Sequence, residues 1–338
     1  MSYDAILIVS FGGPEKREDV MPFLENVLRG KNVPRERMLA VAEHYYRFDG
    51  ISPINAHNRE MIAALKVELE RHGLGLPIYW GNRNWHPLLA DAMRQMRSDG
   101  IRRALAFVTS AYGSYSGCRQ YLEDIARAQA EVGNGAPAVD KLRLFFNHPG
   151  FIEATVARVR EALTPWSPDE AARAEWIFTA HSIPLAMAQR SPYVEQFQEA
   201  CRLVASSLNR SEYRLAYQSR SGPPSPPWLE PDILDVFREI AGRNSARAVL
   251  VIPIGFVADH MEVIYDLDTE AQGLATQLGL KMIRARTVGT HPRFIAMIRE
   301  LIEERIEGGE KLALGTLGPS PYICSPDCCP PPTRASGR

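Results

Sequence analysis

The chain has 338 residues, 45% of them apolar and 23% charged, with 39 Lys and Arg against 40 Asp and Glu. That length exceeds one ordinary hydrophobic core and predicts two α/β domains of roughly 150 residues each. A formal net charge of −1 gives no electrostatic reason for a nucleic-acid or anionic-membrane partner, and the apolar run Ala5 to Val9 is too short for a signal sequence or a membrane span, so a cytoplasmic protein is expected.

Ala5 to Ser10 reads as a short buried strand. The turn Phe11-Gly12-Gly13-Pro14 follows, and its two glycines allow close backbone approach to a ligand. It lacks the spacing of a dinucleotide fingerprint. Helices are predicted over Glu18 to Arg29, with Val20, Phe23, Leu24 and Val27 on one face, over Pro34 to Tyr46 and over Asn58 to His72. Pro77 to Trp80 is a strand and His86 to Ser98 a helix. Ala104 to Ser110 is a strand leading into Ala111 to Gly117, a tyrosine-rich candidate ligand loop. A helix over Arg119 to Ala130, a strand over Leu142 to Phe146 and a helix over Pro149 to Ala162 come next.

Trp176 to Pro184, WIFTAHSIP, is a buried strand that Pro184 brings to an end, with His181 held at its carboxyl edge. Ligands of open α/β sheets bind at that edge. A helix over Tyr193 to Leu208 and a strand over Tyr213 to Gln218 follow. Arg220 to Pro231 contains five prolines and is a stiff loop. After a helix over Asp232 to Ala241, the strand Val249 to Ile254 leads into a loop and helix carrying Asp259, His260, Glu262, Asp266 and Glu270. Met282 to Ala285 is a last strand. Pro292 to Ile306 is a helix with Phe294, Met297, Ile298 and Leu301 on one face. Strand–helix alternation predicts parallel sheets with right-handed crossovers. The expected fold is α/β, with two Rossmann-like domains facing across a cleft. One comprises residues 1–115 and 290–338, with the terminal helix packed back on it; the other comprises 116–289 and carries His181 and Glu262.

Glu262, Asp266 and Glu270 are spaced i, i+4, i+8, which on an α-helix stacks them with Cβ atoms ~5–6 Å apart. Like charges so placed repel, and no Lys or Arg lies between Asp259 and Glu270. The arrangement is either a solvated acidic face or a ladder that passes cations or protons. In a ladder, repulsion and burial should raise the carboxyl pKa values. His181 set across from His260 and Glu262 would offer two imidazoles and a carboxylate, a donor set for a divalent transition metal. There is no HExxH motif and no evident triad of nucleophile, base and orienter, which favours metal handling or proton abstraction over hydrolysis. Of five cysteines, Cys118 and Cys201 stand alone while Cys324, Cys328 and Cys329 crowd the end of the chain. That placement suits a metal or iron–sulfur centre better than a disulfide framework.

The segments SFGGPE (Ser10 to Glu15), PFLENVLRG (Pro22 to Gly30), GISPIN (Gly50 to Asn55), GNRNW (Gly81 to Trp85), SAYGSYSGCRQY (Ser110 to Tyr121), FTAHSIP (Phe178 to Pro184), YQSRSGPP with PWLEPD (Tyr217 to Asp232) and PIGFVADHMEVIYDLD (Pro253 to Asp268) run through nearly the whole chain. In that order they resemble the ferrochelatase family, and within it the bacterial coproporphyrin III ferrochelatases. The resemblance implies insertion of Fe2+ into a porphyrin with loss of two pyrrole protons. The substrate would be coproporphyrin III, giving coproheme in haem biosynthesis, with protoporphyrin IX the other candidate. It also implies that His181 and Glu262 face each other across the macrocycle as metal ligands and proton acceptors. Asp259 and His260 would support them, and Asp266 and Glu270 would continue the acidic line. Ser52, Tyr121 and, more weakly, Arg29 match porphyrin-contacting positions. Many relatives have tyrosine where this chain has Phe11, which carries no ligating atom. Cys118 with Cys324, Cys328 and Cys329 matches the four thiolates of a [2Fe–2S] cluster, with Cys201 as the other internal candidate. Partners would be the porphyrin, Fe2+ and, transiently, neighbouring haem-pathway enzymes. A cobalt or nickel chelatase acting on another tetrapyrrole, and a non-enzymatic haem or metal carrier, are the competing readings.

Overall fold

The structure is a computed structural model and describes residues 2–30, 33–222, 227–243, 247–325 and 327–331. Residues 223–226 of the proline-rich loop lie outside the described residues. Strand β1 (Ala5–Ser10) is buried along its whole length, as a strand covered on both faces must be. It pairs in parallel with β2 (Ile78–Asn82) and β3 (Arg103–Val108), and β3 pairs with β4 (Ala138–Lys141), giving the order β2-β1-β3-β4. The second sheet contains β5 (Glu175–His181), β6 (Arg214–Gln218), β7 (Ala248–Ile252) and β8 (Lys281–Arg284), all parallel in the order β6-β5-β7-β8. The two sheets thus share one strand order. In each, connections leave in opposite directions from two adjacent strands, β1 and β3 or β5 and β7. Such a switch point opens a crevice beyond the strands' carboxyl ends.

Helices α1 (Val20–Leu28) and α2 (Arg35–Tyr46) pair through Phe23, Leu24, Met38 and Ala42 against Trp85. Helix α3 (Ile54–Arg71) lies on one face of the first sheet, and α4 (Leu89–Ser98) with α5 (Gln120–Val132) on the other. Between the sheets run α6 (Pro149–Leu163) and the short α7 (Pro168–Arg173). The second sheet carries α8 (Leu185–Ala188), α9 (Tyr193–Ser207), α10 (Ile233–Arg243), α11 (Met261–Ile264) and α12 (Gln272–Gln277). Helix α13 (Pro292–Glu307) packs on α3 and α6, with Phe294, Met297, Ile298 and Leu301 buried as the periodicity predicts. Phe107, Phe145, Phe151 and Phe294 form an aromatic cluster that joins the two halves into one continuous core. Each such buried ring contributes about 1.5–3 kcal/mol.

Two expectations change. The strand foreseen over Leu142 to Phe146 is irregular, and the strand is Ala138–Lys141. Those apolar residues are buried as a linker, where Arg143 forms a two-pronged ion pair with Glu304 of α13, both contacts at 2.8 Å. The division after residue 115 also moves, because α5 and β4 continue the first sheet's layer to Lys141. Beyond α13 the tail returns across the linker. Arg143 donates to the Leu312 carbonyl, Asn147 Nδ2 donates to those of Leu314 and Gly318, and Glu199 accepts from the Thr316 N–H. Among the described residues, no helix is long and apolar enough to cross a membrane.

Candidate active site

His181 is the last residue of β5, and its backbone carbonyl accepts a hydrogen bond from the Tyr193 hydroxyl at 2.9 Å. The chain after β7 is brought over it by Gly255, whose N–H donates to the Thr179 carbonyl at 3.0 Å. A Cβ on Gly255 would stand 2.6 Å from Ala180 Cα, so only glycine permits this approach. His260 then caps α11, its Nδ1 accepting from the Glu262 N–H at 3.1 Å. The first turn of α11 therefore presents Glu262 beside β5. His181 Nδ1 and Glu262 Oε2 are 2.9 Å apart.

That contact corrects one expectation. A macrocycle has no room between two groups that share a hydrogen bond, so His181 and Glu262 do not face each other across the substrate. They project together from the second sheet's switch point, as one imidazole–carboxylate unit. Burial raises the Glu262 pKa, but His181, by charge and hydrogen bond, and His260 outweigh it and hold the carboxyl below the ordinary value. Burial pushes His260 down, favouring its neutral form.

The acidic line is not one α-helix. Met261–Ile264 is α-helical, Asp266–Ala271 is π-helical and Gln272–Gln277 is α-helical again. Nor is the line unpartnered. Asp266 accepts from the Ser219 hydroxyl, and Glu270 hydrogen-bonds to Tyr265. The expected rise in pKa holds for these two. Burial, then Glu262 and Glu270, push Asp266 up to about 8 against the Ser219 hydrogen bond, and burial raises Glu270. Asp259 departs from the line. Its carboxylate is held by Arg284 at 3.1 Å and Thr287 at 3.0 Å, which engages both oxygens and fixes the loop. Arg284 also pairs with Asp268, so cations from β8 do reach this segment.

Across the cleft the first sheet contributes Phe11, Arg83 and Tyr121. Arg83 pairs with the buried Asp124 and lies 5.7 Å from the Phe11 ring centre and 4.5 Å from that of Tyr121. Ser52 is buried behind the glycine turn, where a Cβ on Gly13 would come within 2.9 Å of its Oγ. Arg29 is exposed at the end of α1 and donates to Asn26. The two halves touch around this cleft. The His44 ring stacks on Tyr265 at 3.7 Å between centres, His57 Nδ1 accepts from the Asp259 N–H at 3.1 Å, and the Tyr112 hydroxyl donates to the Ile254 carbonyl at 3.2 Å.

Cys118 and Cys324 share a hydrogen bond, as do Cys324 and Cys328, and Cys328 Sγ lies 3.4 Å from Cys329 Sγ. The buried Cys201 stands apart on α9. The four thiols form a chain of neighbours. Among the described residues no group of three or more His, Cys, Asp or Glu side chains is gathered closely enough to hold a metal ion.

A sequence model of ferrochelatases matches residues 3–306. The chain belongs to the ferrochelatase family. This ferrochelatase is 56% identical over 328 residues to a ferrochelatase of Rhodopirellula baltica, covering 97% of this chain and 93% of that one. It is 50% identical over 356 residues to a coproporphyrin III ferrochelatase of Nocardia farcinica, covering 100% of each. Among solved structures, the ferrochelatase resembles SirB from Bacillus subtilis with Fe3+. The TM-score is 0.55 and the identity 12%, covering 92% of this chain and 100% of that one. A sirohydrochlorin chelatase SirB in complex with cobalt has a TM-score of 0.53 at 13% identity, covering 91% of this chain and 97% of that one. At such identity the likeness is one of fold, and it agrees with two Rossmann-like chelatase domains. The enzyme is a ferrochelatase and catalyses metal insertion into a porphyrin. Sequence reasoning gave no role to Gln218, Ser219, Tyr45 or Arg83 of the ferrochelatase, although three of them lie inside the quoted motifs. Tyr45 is half-buried in the cleft, and burial, with Glu262 and Asp266 nearby, raises its phenol pKa. Its only signal was its place at the end of the helix predicted over Pro34 to Tyr46.

Proposed function

We propose that this chain inserts Fe2+ into coproporphyrin III to give coproheme, with His181 and Glu262 as metal ligands and proton acceptors. The observation that carries the reading is the imidazole–carboxylate pair, 2.9 Å apart, at a switch-point crevice with Asp266 and Glu270 leading away from it. Glu262, held ionised by His181, can take a pyrrole proton as Fe2+ approaches. The cation favours loss of a proton from so weak an acid. His260 holds the Glu262 backbone, and Asp266 with Glu270 offers oxygens along which Fe2+ or protons travel. Ser52, Tyr121 and Arg29 are the proposed porphyrin contacts, with Ser52 acting through the shape of the turn it supports. Coproporphyrin III is favoured over protoporphyrin IX because relatives that match over their full length carry its name. A cytoplasmic location and transient hand-over to neighbouring haem-pathway enzymes belong to the same proposal.

Cys118, Cys324, Cys328 and Cys329 are proposed to hold a [2Fe–2S] cluster, since four neighbouring thiols supply its donor set. When bound, it would cross-link the tail to the π-helical turn Tyr115–Arg119. Iron and acid-labile sulfide in anaerobically purified protein would support it; their absence would remove the cluster and leave the chelatase reading intact.

The test of function is turnover of purified protein with Fe2+ and each porphyrin. Insertion should be fastest into coproporphyrin III. Porphyrin binding without turnover would make the protein a carrier, and turnover only with Co2+ or Ni2+ and another tetrapyrrole would make it a different chelatase. Glu262→Gln should lower kcat by about 100-fold or more, and His181→Ala should abolish insertion in a folded protein. A change confined to KM would make Glu262 a binding residue.

A further inference from the structure

Two consecutive residues at the end of β6 grip the carboxylate line. Gln218 is the last residue of that strand and lies in register beside His181. It is 1% exposed. Its Nε2 donates to the backbone carbonyl of Glu262, and its Oε1 is buried with no protein partner. Ser219 follows at φ 64°, a left-handed conformation that residues with a β-carbon seldom adopt. Its hydroxyl donates to Asp266 Oδ2. One residue thus holds the backbone at Glu262 and the next holds the carboxylate at Asp266, at the point where the helix changes from α to π. Glycine would fit the backbone at 219 without strain but could not reach Asp266. A strained residue kept for one polar contact is a mark of function.

We infer that Gln218 and Ser219 are positioning residues for metal insertion, setting the separation of Glu262 and Asp266 so that Fe2+ passes from one carboxylate to the next. The inference rests on the proposed role of that carboxylate line. The clamp stands on the second sheet and acts on the metal's path, so its loss changes handling of Fe2+ and leaves porphyrin binding alone.

The experiment compares Ser219→Gly, Ser219→Ala and Gln218→Glu with the parent and with Glu262→Gln. Melting temperature, the KM for each substrate and kcat are measured for all. Ser219→Gly should melt at or above the parent, because its backbone is relieved, yet lose tenfold or more in kcat/KM for Fe2+ at unchanged porphyrin KM. Ser219→Ala should show the same metal defect. Gln218→Glu, which keeps the shape and replaces the donor, should show it too. The inference is overturned if Ser219→Gly has parental Fe2+ kinetics, if it fails to fold, or if activity across the set merely follows melting temperature. Glu262→Gln separates the two levels. Full turnover there removes the carboxylate reading itself, whereas an inactive Glu262→Gln beside a normal Ser219→Gly removes only the clamp.

Discussion

Asp266 sits where a carboxyl group resists ionisation. Burial is the largest cause, Glu262 and Glu270 add to it, and the group is pushed up to about 8. An unfolded aspartate releases its proton near pH 4. Between about pH 4 and 8 the folded chain therefore binds more protons here than the unfolded chain, and this residue's contribution to stability falls as pH rises through that window. Asn cannot ionise and escapes the loss. Asp266→Asn should accordingly raise the melting temperature at pH 8 by more than at pH 4.5, measured by calorimetry at both. An equal difference at the two values, or a larger one at pH 4.5, would contradict the burial argument. Residue types were legible at this scale, and pairings were not. His181 and Glu262 were recognisable, but 81 residues of chain conceal that β5 and β7 are neighbours. Arg284 lies 25 residues beyond Asp259, well outside the acidic stretch that it neutralises.

Elements with a strong apolar period came through at the sequence level, and elements defined by hydrogen bonding alone did not. The buried faces of α1 and α13 follow from spacing. The π-helical stretch Asp266–Ala271 does not, because one extra residue per turn leaves the apolar pattern of Val263, Leu267 and Ala271 intact. The tail illustrates the same blindness. Its low apolar content suggests a loose segment, yet Asn147, Glu199 and Arg143 hold residues 312–318 through backbone groups, and Tyr322 donates to Glu304 at 2.5 Å. Two anchors in series predict a graded response to limited proteolysis followed by mass spectrometry. Serine at Cys324 or Cys328 should expose only sites beyond Tyr322. Asn147→Ala removes two hydrogen bonds from a buried site, costs about 1–3 kcal/mol, and should expose sites from Leu312 onward. Cleavage near Leu312 in the cysteine variants would show that the thiols carry the whole segment.

At the scale of the molecule, strand–helix alternation predicted two parallel sheets; their shared strand order puts one switch point in each, and loop contacts between the halves bring the two together at one cleft. The contacts that close that cleft were invisible in the sequence, since each joins residues from different halves. His44 on Tyr265 is one of them. A planar tetrapyrrole that enters on this side parts the stack, which is worth about 0.5–1.5 kcal/mol. His44→Ala should therefore speed porphyrin binding by roughly 2- to 10-fold, read by stopped-flow fluorescence; an unchanged rate would mean that the porphyrin enters elsewhere.

The ion pair of Arg143 with Glu304 also sets an order of events during synthesis. The two residues are 161 positions apart, and ribosomes add about 5–20 residues per second. For roughly 8–32 s, a nascent chain has an arginine meant for the interior without its counter-charge, beside aromatic residues that lack Phe294. The linker cannot close dry until α13 arrives, and Asn147 waits longer still for Gly318. The first half therefore matures only after α13 has been made, and a chain stalled before Glu304 exposes the seam where the halves meet.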